Sequence, residues 1–467
     1  MHPPISTGER GVRKDAALHA GYVFAISLVA ALGGLLFGYD WVVIGGAKAF
    51  YEQYFELHSA AAIGWANSCA LLGCLLGAAL SGFSSDRFGR KPLLLISACL
   101  FAVSSVATGL ASTFSMFIGW RIAGGIAIGI ASNISPVYIA EISPARWRGR
   151  LVALNQLTIV IGILAAQIVN WLIADKVPAG ATGEFIRNSW NGQYGWRWMF
   201  AAVAVPSAIF FFSALFVPES PRWLLKKGRR EPAARILARI GSTEEFEMTS
   251  ADDAPRARFS DLAHKPLLRA LIIGIALAVL QQWSGINVIF NYAEEIYRGA
   301  GYGVNDILFN IVITGSVNLA FTLVALGFVD RIGRRPLMLL GCAGIGLSHF
   351  LLGLAYRAGV TGLPVLVLTL CTIGCYAMSL APVTWVLISE IFPNRIRGLA
   401  VSVSVSALWI ASFFLTYTFP LINEHFGAAG TFWLYAAICI AGFFFIQRSV
   451  PETRGKTLEQ IEKELAA

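Results

Sequence analysis

Charge is what this sequence has least of. Asp, Glu, Lys and Arg make up 13% of its 467 residues, while 56% are hydrophobic. A soluble domain carries about 25% charge and about 45–50% apolar residues. The shortage excludes an ordinary water-soluble globule and points to lipid as the solvent. Acid is scarcer than base, 27 residues against 36, for a net charge of +9. Histidine is sparse, with six residues scattered along the chain and none given a role. The seven cysteines (Cys69, Cys74, Cys99, Cys342, Cys371, Cys375, Cys439) all fall in apolar stretches. Cys371 and Cys375 lie one helical turn apart without further ligands nearby, so no metal site is expected. Buried small hydrophobes are the expected role of all seven. Neither a glycine-rich phosphate loop nor a ligand cluster is present, so the chain does not read as an enzyme or as a cofactor protein. The first apolar run is too long for a cleavable leader and has no small-residue cleavage site after it.

What is there instead is a series of long uncharged runs. Between Asp15 and Lys48 the one formal charge is Asp40, and between Lys91 and Glu141 it is Arg121. About 20 apolar residues cross the hydrocarbon as a helix, and a helix satisfies its own backbone, which lipid cannot do. The runs give twelve expected helices, at 20–48, 60–84, 92–112, 115–141, 151–174, 197–217, 268–297, 305–329, 336–357, 363–391, 397–423 and 429–448. The split within 92–140 rests on the turn-like ASTFS at 111–115, and the seventh helix is the least regular.

The basic residues sort by side. The even-numbered connections and the two tails hold 29 of the 36, six fall on the opposite side, and Arg121 lies inside a span. Positive loops stay cytoplasmic, so both termini are expected inside and the +9 balance needs no nucleic acid. The predicted protein is therefore an all-α, multi-pass protein of the cell (inner) membrane.

An internal repeat divides it. DRFGRKPLL at 86–94 recurs as DRIGRRPLM at 330–338, EISPARWRG at 141–149 as EIFPNRIRG at 390–398, and PESPRWLL at 218–225 as PETRGKTL at 451–458. The order is the same each time. The expected organisation is a tail at 1–19, a six-helix half at 20–217, a charged helical linker at 218–267, a second six-helix half at 268–448 and a tail at 449–467. Parallel repeats of this kind are one transporter plan, with the substrate site near the midplane between the halves. WLLKKGRREPAARILARIGS in the linker and TLEQIEKELAA in the tail read as short amphipathic helices.

DRFGRKP, PESPRWLL, QQWSGIN, SEIFPNRIRG and PETRGKTLEQIE, in that order, resemble the sugar porter family of the major facilitator superfamily over about residues 20–463. The likeness is to its bacterial xylose–proton symporters and to its facilitative glucose transporters. It implies the major facilitator fold and movement of a neutral sugar by alternating access, with the chain working as a monomer. It also implies that Asp86, Arg90, Glu141, Arg148, Asp330, Arg334, Glu390 and Arg397 form a cytoplasmic charge network that locks that face when the outside is open. The alternative is plain turn chemistry with positive-inside anchoring.

LQQWSGINVIFNY, at 280–292, carries the expected substrate face. Gln281, Ser284, Asn287 and Asn291 step by three, three and four, which at about 100° per residue puts them on one side of a helix. Gln282 lies one residue off that stripe. Lipid penalises such groups, so the face turns inward. Amides donate and accept, which suits a ring of hydroxyls without adding charge; polar glue between helices is the competing reading. Gly285 offers a place to bend. Phe37, one turn before Asp40, is a candidate for the same cavity wall. By resemblance, Gln156, Asn318 and Trp385 add contacts from the fifth, eighth and tenth helices. The sequence departs from the xylose symporters at Ile163, Asn291 and Leu408, where they carry Gln, Tyr and Gln. The substrate is thus left open among pentose, hexose and polyol.

Asp40 and Arg121 are each costly alone in lipid, and pairing lowers that cost. The resemblance makes the Asp the proton site and the Arg its partner, since Arg stays charged. The proton is then the coupling ion. A fixed ion pair, with downhill sugar movement, is the alternative. A nutrient sensor on the same scaffold is disfavoured by the short tail.

Overall fold

The computed structural model describes residues 19–178, 180–240, 265–393, 396–454, 456 and 460. Helix is the dominant element because the apolar runs leave the backbone no other partner in lipid. Helices α1 (Ala20–Tyr54), α2 (Ala60–Phe88), α3 (Arg90–Gly109), α4 (Phe114–Ile142) and α5 (Ala145–Ile173) form the first five spans. A short helix the sequence did not announce, α6 (Gly183–Asn188), precedes a composite sixth span. That span runs through a π turn at Asn191–Gly195 into α7 (Trp196–Ala201) and α8 (Ala204–Phe216). The expected amphipathic linker is seen as α9 (Pro221–Lys226) and α10 (Arg230–Ile240).

The seventh span is the irregular one, broken into α11 (Lys265–Trp283), α12 (Ile286–Asn291) and α13 (Ala293–Gly299). Then come α14 (Val304–Ile332), α15 (Arg334–Arg357), a tenth span split at Ser379 into α16 (Leu363–Met378) and α17 (Leu380–Glu390), and α18 (Arg397–Ser449). Among the described residues, eleven helical stretches are long and apolar enough to cross a membrane. The last of them, 53 residues long, leaves helical geometry at Gly427 (φ 65°, ψ 174°), which resolves it into the eleventh and twelfth spans.

Local chemistry sets the ends. Thr113, within the ASTFS turn, accepts a hydrogen bond from Met116 N at 3.3 Å and starts α4, as a capping hydroxyl should. Ser59 does the same for α2 through Ala62 N. Gly89 and Gly333 lie at matched places in the repeat, between α2 and α3 and between α14 and α15, with φ of 103° and 106°. Such a backbone favours glycine. A Cβ there would also push on a carboxylate, standing 2.2 Å from Glu219 Oε2 at the first and 2.8 Å from Glu452 Oε2 at the second.

The outer surface is apolar. Phe216, Phe83, Leu172 and Leu340 are among its exposed side chains, as expected of helices whose surroundings are acyl chains. Here the expectation for cysteine needs correction. Cys69, Cys74, Cys342 and Cys439 are buried, but Cys375 is only partly so, and Cys99 and Cys371 are exposed. A small hydrophobe is as well accommodated against lipid as inside the bundle, so an apolar span does not imply burial.

Contacts between the first six and the last six spans gather at one end, the end opposite the DRFGRK turn. Val177 N donates to Asn305 Oδ1 at 3.0 Å, Trp171 meets Phe309 at 5.9 Å between ring centroids, and the Cβ position of Gly64 stands 2.3 Å from Tyr417 O. At the DRFGRK end the described ion pairs stay within one set of six. The molecule is thus sealed at the end bearing α6.

Candidate functional site

Asp40 and Arg121 meet in the middle of α1 and α4. Both are 3% exposed, and Arg121 Nη1 donates to Asp40 Oδ1 at 3.0 Å, with Nη2 at 3.4 Å from the Asp40 carbonyl oxygen. The guanidinium also lies over the Phe200 ring, 5.3 Å from its centroid. The contact is a single bond to one carboxylate oxygen. Asp40 Oδ2 is buried and has no hydrogen-bond partner among the described residues. A bidentate pair would have used both oxygens.

One turn away, Phe37, Trp41 and Trp409 form a triangle. The centroid separations are 6.1 Å for Phe37–Trp41, 6.0 Å for Phe37–Trp409 and 5.9 Å for Trp41–Trp409. Phe37 and Trp41 come from α1 and Trp409 from α18. Phe37 is expected from the sequence, whereas the two tryptophans are not, although Trp41 follows Asp40 directly.

The amide stripe is not one continuous helix face. The chain breaks after Trp283, and Gly285 takes a left-handed conformation with φ 87°. The break brings the off-stripe Gln282 onto the stripe: Asn287 Nδ2 donates to Gln282 Oε1, and also to Ser412 Oγ at 3.2 Å. Gln281 Nε2 reaches the Leu380 and Ala381 carbonyls at 3.1 and 3.3 Å. Asn291 is buried with Oδ1 unpartnered, as are Trp409 Nε1 and both amide atoms of Gln167. Buried polar atoms left open inside lipid are costly, and hydroxyl groups of a ligand would satisfy them. Gln167 is a third residue, after the two tryptophans, that the sequence does not single out. Its Oε1 stands 1.8 Å from where a Cβ of Gly315 would be, so α5 and α14 meet there.

Of the remaining expected contacts, Gln156 is half-buried and Asn318 is 4% exposed. Trp385 is 38% exposed, which is not the environment of a core-packing tryptophan. Leu408 is buried at 3% exposure. A cavity of about 260 Å³ lined by Leu268, Arg269, Ile272, Ile273, Phe445 and Ser449 lies elsewhere, at the DRFGRK end. Its walls share none of these residues, and the chemistry favours the amide cluster.

His349 was given no role from sequence, yet it acts on this site indirectly. The helix break removes the usual i+4 donor from Ser284 O, because Val288 N bonds Gly285 O at 3.2 Å instead. His349 Nε2 takes its place at 2.8 Å from Ser284 O, with its ring stacked on Phe432 at 5.5 Å.

The charged turns are partly as expected. Arg90 binds Glu141 through Nε and Nη2, both at 2.9 Å, and Asp86 at 3.5 Å. Arg334 binds Glu390 at 3.2 Å. Arg148 and Arg397 do not reach those glutamates in the described contacts; they donate to the backbone oxygens of Ala140 at 3.1 Å and Phe392 at 3.1–3.2 Å. The reason is reach, since Glu141 and Glu390 are already taken by Arg90 and Arg334. The Asp330 side chain, Arg395, the basic residues before 19 and, residue 460 apart, the tail helix expected at 457–467 lie outside the described residues. Two acids missed from sequence complete the pattern. Glu219 accepts from Arg90 N at 2.9 Å and Lys91 N at 3.2 Å, and Glu452 accepts from Arg334 N and Arg335 N, both at 3.1 Å. Each carboxylate sits on the open N-terminus of a span, where the free N–H groups and the helix dipole favour it. The signal was the repeated PES/PET, seen as a repeat but not as a cap.

The profile of the family described as "Sugar (and other) transporter" matches residues 26–465. The chain belongs to the sugar transporter family. It is 38% identical over 479 residues to the D-xylose-proton symporter of Escherichia coli K12, with 95% of this chain and 96% of the relative covered. It is 42% identical over 461 residues to the glucose transport protein of a Synechocystis species, at 94% and 97% coverage. Its fold superposes on the inward-open xylose transporter of E. coli with a TM-score of 0.82 and 37% identity, covering 95% of this chain and all of that one. This sugar transporter is therefore a multi-pass membrane protein with twelve spans and is not an enzyme.

Proposed function

We propose that this sugar transporter is a symporter that carries a neutral monosaccharide, or a polyol of similar size, together with a proton. The observation that carries the reading is the Asp40–Arg121 pair, with Asp40 Oδ2 left unpartnered in a buried site. A carboxylate held by one bond has a free oxygen for the proton. Protonation removes its charge, weakens its hold on the permanently charged Arg121, and lets α1 and α4 move apart. The sugar binds against the amides Gln281, Gln282, Asn287 and Asn291, with Gln156 and Asn318 from facing helices and Phe37 and Trp385 on its apolar C–H faces. The residues at 20–217 and 268–448 act as two six-helix halves that rock about this site, with the linker and both tails cytoplasmic. The Asp86, Arg90, Glu141 and Arg148 group and its counterpart at Asp330, Arg334, Glu390 and Arg397 are the cytoplasmic gate. One chain contains the whole pathway, so a monomer suffices.

The test is the pH outside energy-depleted vesicles on adding a panel of neutral sugars and polyols, for the parent and for Asp40→Asn. Alkalinisation by one sugar, lost in the variant while sugar exchange persists, is the expected result and names the substrate. Uptake without proton movement in the parent would replace symport by facilitated diffusion and leave Asp40 a structural partner of Arg121.

A further inference from the structure

A second group of charges is buried at the sealed end of the molecule, and neither sugar nor proton binding uses it. Lys48, near the end of α1, is 1% exposed. Its ammonium pairs with Glu52 one turn on at 2.7 Å, with Glu294 at 3.9 Å and, in direct hydrogen-bond contact, with Glu295. Arg298 pairs with Glu294, and the Tyr292 ring centroid is 5.5 Å from Nζ. Lys48 and Glu52 belong to the first six spans, the other acids to the last six. An apolar seal surrounds the charges. Val42 packs in one cluster with Ile286, Val288 and Ile289, and the Cβ position of Gly45 stands 2.4 Å from Phe290 O.

We propose that Lys48 is the outer gate residue of the transport cycle, holding α1 against α13 while the DRFGRK end is open. Three features carry this. The ammonium spans the division between the two sets of helices. It is fully withdrawn from water, so its charge is tolerated only through those acids. It is also the hub, because without it Glu52, Glu294 and Glu295 face one another with only Arg298, itself half exposed, to offset them. Opening this end separates Lys48 from Glu294 and Glu295 and lets water in to replace them. The charges that hold the opposite end, Arg90 with Glu141 and Arg334 with Glu390, pair within each set of six in this conformation. Among the ion pairs of the described residues, those at one end thus cross the division and those at the other stay within each set of six, which is the pattern alternation requires.

The latch goes beyond the symport reading, and its test needs no sugar and no pH gradient. Val42→Cys, buried at 1% exposure in the seal, is labelled with a membrane-impermeant maleimide from each side in turn, against the parent as background. Adding Lys48→Met is expected to raise labelling from the α6 side roughly tenfold or more, since removing one partner of a buried pair is strongly unfavourable. The swap Lys48→Glu with Glu295→Lys keeps the charge count and is expected to bring the rate back toward that of Val42→Cys alone. An unchanged rate in Lys48→Met, or no recovery in the swap, would overturn the assignment. Should Lys48→Met fail to enter the membrane, Glu295→Gln is read in its place. It leaves Lys48 its partner Glu52 and is expected to raise labelling about threefold, and no rise would equally overturn the gate.

Discussion

Single side chains in this protein are governed by what lipid forbids. Gln282 and Asn287 bond each other in a buried setting, so either amide is expected to rebuild that bond onto a sugar hydroxyl when substrate arrives. A net hydrogen bond is worth about 1 kcal/mol, which is about a fivefold change in affinity. Asn287→Ala should therefore raise KM for the transported sugar about fivefold with little change in protein abundance. Equal KM with reduced abundance would place Asn287 in packing alone. Trp385→Ala should weaken binding of sugars in proportion to their apolar ring face, as measured by the relative KM of a hexose and an open-chain polyol. A uniform loss for both would argue against a stacking role. The stripe at 281–291 was legible because lipid penalises four amides wherever they point outward. The pairing of Gln282 with Asn287 was not, because it depends on a break in the helix that period arithmetic assumes away.

At the scale of elements, breaks matter more than spans. The seventh span opens at Gly285, and His349 supplies the donor that Ser284 O loses. His349→Gln keeps an N–H donor on a side chain of similar reach, whereas His349→Phe leaves the carbonyl only the weak thiol donor of Cys439, 3.9 Å away, in a site where that is costly. The expected result is near-parental sugar KM for Gln and a rise of about tenfold for Phe, with the Gln rescue separating positioning from bulk packing. Sequence showed Gly285 as a possible bend but gave no means of finding His349, which is 64 residues distant along the chain from Gly285. The turns before α3 and α15 behave alike for the same reason. Gly89→Ala and Gly333→Ala each place a Cβ against a capping glutamate in a left-handed backbone. Both should lower the thermal stability of the purified protein, as read from its melting temperature in detergent. An unchanged melting temperature in both variants would show that the positive-φ backbone at these turns carries no such cost.

For the whole molecule, the distribution of base against acid makes the strongest prediction. Twenty-nine of the 36 Lys and Arg lie on the side of the DRFGRK turn or in the tails, and positive loops stay inside. Cys introduced at Lys227 should react with an impermeant maleimide only in inside-out vesicles, and Cys at Glu184 in α6 only in right-side-out ones. The reverse pattern would invert the proposed topology and with it the direction assigned to both gates. On the proposed topology the sealed α6 end faces outward.

The sequence by itself determined the solvent, the twelve spans, the repeat, the family and the presence of two stray opposite charges in lipid. Each of these follows from composition or from spacing along the chain, which folding does not alter. Tertiary structure alone decided which distant groups meet. It put Arg121 on one oxygen of Asp40, His349 under the broken helix, Glu219 and Glu452 on the helix ends, and Lys48 among acids from the other set of spans. Those contacts join residues from 65 to 247 positions apart, where local periodicity has no reach and only packing chooses the partner.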